Sequence, residues 1–102
     1  MTVIWAERAE QALHSVEEYI KRDFGEQARL KFMQKAEATA GQLASFPHYG
    51  KIEPLLAHRQ KSYRSVVVTK QSKLIYYVES ERIVIADFWE CRREPESLAQ
   101  GL

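Results

Sequence analysis

KSYRSVVVTKQSKLIYYVESERIVIADFWECRR, residues 61–93, decides the fold. Three runs rich in Val, Ile and Tyr predict strands over 63–69, 73–78 and 82–89. Gln71-Ser72 and Ser80-Glu81 lie in the connections, which are short enough for hairpins, so the three strands are expected to run antiparallel. Side chains alternate between the faces of a strand. Arg64, Val66 and Val68 therefore share one face of the first. In the second, Lys73, Ile75 and Tyr77 oppose Leu74, Tyr76 and Val78. The third run, RIVIADFW, is apolar on both faces, which predicts a central strand.

Upstream the hydrophobic period changes. Thr2-Val3-Ile4-Trp5 predicts a short edge strand. Ala9, Leu13, Val16 and Ile20 then recur at helical spacing, with Ala12 and Tyr19 widening the stripe, and predict a helix over 6–22. Asp23-Phe24-Gly25 breaks the pattern. A second stripe of Ala28, Phe32, Ala36, Ala40 and Leu43 predicts a helix over 26–45, ended by Pro47. So short a turn folds the two helices into an antiparallel hairpin. Residues 46–61 read as an irregular connection pinned to the core by Leu55 and Leu56. The expectation is one α+β domain over 1–102. An N-terminal strand and a helical hairpin pack on one face of a small, mainly antiparallel sheet. The hairpin covers one side only, so the other is expected to stay partly open and to collect cations.

Charge and composition narrow the function classes. The net charge of +1 conceals an asymmetry. Residues 51–93 hold nine Lys and Arg against five acids, while residues 1–50 hold six against seven. A local basic patch of this kind suits nucleic acid or an acidic protein partner. No apolar run approaches the roughly 20 residues of a membrane helix. The first ten residues, MTVIWAERAE, lack a basic segment followed by an apolar one, so no secretory signal is expected. The single cysteine, Cys91, permits no internal disulfide and suits the cytoplasm. His14, His48 and His58 are scattered without metal-ligand spacing, and there is no glycine-rich phosphate loop. No metal or cofactor is expected.

Several segments in order carry a family resemblance: the Ala9/Leu13/Ile20 hairpin start with Tyr19; Phe46-Pro47-His48-Tyr49-Gly50; Tyr63-Arg64-Ser65; Leu74-Ile75-Tyr76-Tyr77-Val78; and the closing run from Ile85 through Arg92-Arg93-Glu94-Pro95. Together they resemble the RelE/ParE superfamily of bacterial toxins over nearly the whole chain. The resemblance implies a growth-arresting toxin of a type II toxin–antitoxin, plasmid-stabilisation module, silenced by a cognate antitoxin protein. It offers two targets. ParE-like members poison DNA gyrase; RelE-like members enter the ribosome and cut mRNA through the 2′-hydroxyl, without a metal.

Cleavage needs a base, a proton donor and positive charge on the phosphate. By the resemblance, Arg64, Lys73 and Arg93 are the candidate catalytic cations. Lys61, Lys70, Arg92 and Tyr77 are candidate contacts to nucleic acid or target. Two departures favour the ParE branch: Val66 stands where RelE-like chains carry a second lysine, and EPESLAQGL at the C-terminus offers no tyrosine or histidine as base.

Overall fold

A computed structural model describes residues 1–90. The elements are β1 (Thr2–Trp5), α1 (Glu7–Phe24), α2 (Glu26–Ser45), β2 (Lys51–Ile52), a 3₁₀ turn (Pro54–Leu56), β3 (Arg64–Thr69), β4 (Ser72–Glu79) and β5 (Arg82–Glu90). They form one five-stranded sheet in the order β1-β5-β4-β3-β2. β1 runs parallel to β5 and lies at an edge, and the other pairings are antiparallel. The third strand of the basic stretch, β5, is thus interior, but β4 is central. Among the described residues no helix is long and apolar enough to cross a membrane.

The helical hairpin forms where the sequence predicts it. Glu7 and Glu10 in the first turn of α1, and Lys21 and Arg22 in the last, complement the helix dipole. Gly25 alone connects the helices. Its φ of +98° is open to glycine and costly for other residues, and its amide donates to the Lys21 carbonyl at 3.0 Å. Arg29 then ties the hairpin by bonding both Glu17, at 2.6 Å, and Glu26.

One face of the sheet packs on this hairpin. Ala9 and Leu13 of α1 and Phe32, Ala36, Ala40 and Leu43 of α2 meet Val66, Val68, Leu74, Tyr76, Ile83, Ile85 and Phe88. The Phe32 and Phe88 rings meet edge to face at 5.5 Å. Fully burying side chains such as Leu43, Ile83 and Ile85 contributes about 2 kcal/mol each.

The second face, expected from the sequence to stay partly open, carries a cover of its own, although Val67 on that face stays 68% exposed. The connection after α2 crosses it, and Leu56 and Tyr63 form a smaller core there with Ile75 and Ala86, flanked by Leu55, Tyr77 and Trp89. The cause is the apolar content of that face. Ile75 and Ala86 are as buried as the helix-side residues, and Leu55-Leu56 supply the cover.

Two irregularities decide which side chains reach which face. In β5 one residue is extra: Ile75 pairs with Asp87 and Tyr76 with Ile85, leaving Ala86 between. This bulge shifts the alternation, so Ile83, Ile85 and Phe88 all meet the helices while Ala86 and Trp89 meet the second face. In β3 Val68 is extra, and the turn falls at Lys70-Gln71 rather than at Gln71-Ser72.

The β4–β5 turn places Ser80 at φ +49° and Glu81 at φ +61°, the signature of a type I′ hairpin. Neither residue favours that region. Replacing Ser80-Glu81 by Asn-Gly is expected to stabilise the chain by about 1 kcal/mol. Urea denaturation reads the change, and an unchanged or lower midpoint would show that the turn is not strained.

Candidate functional site

The register of β3 against β4 separates the candidate cations. Arg64 pairs with Tyr76, so it lies on the helix-side face with Val66 and Leu74. Lys73 pairs with Val67 on one side and Trp89 on the other, on the second face. The expected gathering of Arg64 and Lys73 on one bare face is therefore corrected: Val67, the partner of Lys73, stands three residues along β3 from Arg64, so the two side chains leave opposite faces with the sheet between them. Arg92 and Arg93 fall outside the described residues.

Each of the separated cations has an internal partner. The Arg64 Nη1 donates to the Gly50 carbonyl at 2.7 Å. The Lys73 ammonium is paired with Glu53 and stands 5.0 Å from the centre of the Trp89 ring. Glu53 is only 1% exposed and also accepts the Ser65 hydroxyl at 2.8 Å. Lys61 bonds Glu79 at 3.3 Å and lies over the Tyr77 ring at 4.4 Å. The bond to Glu79 holds the Lys61 ammonium above its ordinary pKa. Tyr77 is half-buried and meets Tyr63 edge to face at 5.5 Å. Lys70 stands exposed in the β3–β4 turn.

The helix-side end of the sheet carries a polar hub. The buried Tyr76 hydroxyl accepts the Gly50 amide at 2.8 Å and donates to the Pro47 carbonyl at 2.9 Å. Burial pushes this phenol above its ordinary pKa, against the opposing pull of the Gly50 amide and Arg64, which favours the neutral form that donates. With Arg64, the hub fixes the Phe46-to-Gly50 segment. A Cβ on Gly50 would stand 2.7 Å from the Ser65 carbonyl and 2.8 Å from the Tyr76 ring.

A groove follows α1. Two cavities of about 590 and 440 Å³ share Val16 and Glu90 as lining. The first has a mixed lining, with Ala12, Val16 and Phe88 beside Arg8, Gln11, Ser15 and the buried Asp87, whose carboxylate accepts Arg8 at 3.0 Å. The second is apolar, floored by Tyr19, Ile20, Phe24 and Phe32 and edged by Lys31 and Lys35 from α2. Both lysines are exposed, and neither pairs with an acid among the described residues. The sequence showed Val16, Tyr19, Ile20 and Phe32 as members of helix stripes and set Phe24 in the break between them, but it did not show that they leave a groove. Glu53 gave no signal at all: a carboxylate before Pro54 in an irregular connection reads as solvated.

These features define a class: a small α+β protein with a groove along α1 and internally satisfied cations, in place of an assembled catalytic cluster among the described residues. The chain belongs to the ParE toxin family of type II toxin–antitoxin systems (parDE), whose family model matches residues 3–95, and so to the RelE/ParE superfamily. In fold it is similar to a chain of the chromosomal ParDE toxin–antitoxin system from P. aeruginosa. The TM-score is 0.72 at 16% identity, over 88% of this chain and 95% of that one. A comparison with curated proteins gave no match.

Gly50→Ala is expected to destabilise by about 2 kcal/mol or more through forced displacement of backbone and Tyr76, and Tyr76→Phe by about 1–3 kcal/mol through two lost bonds. Chemical denaturation measures both. Wild-type stability in Tyr76→Phe would remove the hub from the account.

Proposed function

We propose that the chain is a toxin that arrests growth by binding DNA gyrase in the cytoplasm, and that a cognate antitoxin silences it. The observation that carries this reading, beside the family, is the partition of the cations. Phosphate chemistry needs positive charges converging on one point. Here Arg64 and Lys73 sit on opposite faces, each bonded inward. Tyr77 packs on Tyr63 and Lys61, which supports a packing role over that of a base. A surface of this kind acts by docking.

The groove along α1 is the antitoxin's seat in this reading. Its floor is apolar and its α2 edge is cationic, which suits an amphipathic segment with carboxylates along one side. Lys31→Glu with Lys35→Glu is expected to weaken antitoxin binding at least about 10-fold at low salt, with the loss shrinking as salt rises. Titration calorimetry with the protein encoded beside the toxin measures this. Unchanged affinity would move the antitoxin elsewhere.

For the target, supercoiling by purified gyrase is expected to fall as the toxin is added, and induction is expected to raise the DNA damage response. Primer extension on translated mRNA is expected to show no codon-phased cuts. Such cuts with supercoiling intact would instead favour ribosome-dependent cleavage.

A further inference from the structure

A second surface lies where the C-terminal end of α2 meets β2. Within seven residues, Phe46 is 64% exposed, Tyr49 63% and Ile52 48%. Scattered apolar residues are ordinary on a surface, but three this large on so short a segment suit a contact surface. None of the three lines the groove along α1.

The segment is a loop held as firmly as an element. Tyr49 donates its amide to the Phe46 carbonyl at 3.0 Å, closing a turn with one aromatic ring at each end. Behind it the Tyr76 hydroxyl bonds Pro47 and Gly50, and Arg64 bonds the Gly50 carbonyl. Ile52 is fixed by its pairing with Arg64. Aromatic anchors on a preorganised backbone bind with little ordering cost, which is the character of an interface hot spot.

Charge identifies the occupant. Residues 44–52 contain Lys51 and His48 and no acid, and the next residue, Glu53, is turned inward to Lys73. A nucleic-acid platform would need a track of cations for successive phosphates. Lys51 alone does not make one, and Arg64 is bonded to the backbone behind the loop. We propose that Phe46, Tyr49 and Ile52 are the anchor by which the chain grips its protein target, at an apolar pocket rimmed by carboxylates. The proposal rests on the toxin reading above and assigns its target contact to a face separate from the groove.

The test uses the purified chain and purified gyrase. Phe46→Ser with Tyr49→Ser is expected to keep the wild-type circular dichroism and to lose at least about 30-fold in gyrase affinity, a truncation effect of hot-spot size. Tyr49→Ser alone, at a largely exposed ring, repeats the test if the double variant unfolds. Phe46→Leu with Tyr49→Phe is expected to recover most of the binding. Equal binding by the wild type and the folded serine variants overturns the inference and leaves the gyrase reading in place. No binding or inhibition by the wild type overturns the gyrase reading, and this inference with it. A wild-type dimer that the variants convert to a monomer in sedimentation assigns the patch to a second copy and overturns the inference. Binding to a single-stranded oligonucleotide that is lost in the variants overturns it in favour of nucleic acid.

Discussion

A carboxylate removed from water must be paired where it lies, and Glu53 is the group on which this architecture depends. The cost of burying it alone would be several kcal/mol. Lys73 and the Ser65 hydroxyl meet that need from β4 and β3. The pair fastens the connection after α2 across the second face of the sheet, directly ahead of Leu55 and Leu56. Tyr76 fastens the start of the same connection from the opposite face. The second face is thereby covered over Ile75 and Ala86, and Arg64 and Lys73, two of the cations read from the sequence as ligand contacts, are engaged in holding the connection.

The functional consequence follows from that closure. Where a bare cationic sheet would suit a polyanion, the molecule presents a groove beside α1 and a rigid aromatic turn beside β2. In the proposed reading both receive proteins. The groove is apolar with a lysine edge, and the turn is apolar with no acid. A toxin that, as proposed, is held by one protein and acts on another needs two such surfaces, and their separation lets each be altered alone.

Much of the fold was legible in the sequence. α2 spans Glu26–Ser45 as its stripe predicts, and Gly25 marks the break between helices. The strands of the basic stretch fall within a residue or so of their patterns. Two-residue β2 was not legible, because its pairing with Arg64 and Ser65 defines it and its own pattern does not. The site was harder to read. Alternation gives the faces within one strand, so Lys73 was correctly set against Tyr76. It does not say how Arg64 lines up with either until the register is known. The extra Ala86 then shifts β5 by one, which sends Trp89 to Lys73 and Phe88 to the helices. Neither a register nor a bulge leaves a mark in hydrophobic periodicity.

The most direct test of this closure is a double-mutant cycle on Glu53 and Lys73, read by urea denaturation. The account predicts that Lys73→Met and Glu53→Leu each destabilise strongly alone, that the double variant regains much of the loss, and that the coupling is about 2 kcal/mol or more. Coupling near zero, with Lys73→Met as stable as the wild type, would contradict it: Lys73 would then be a free cation and the second face of the sheet an open one.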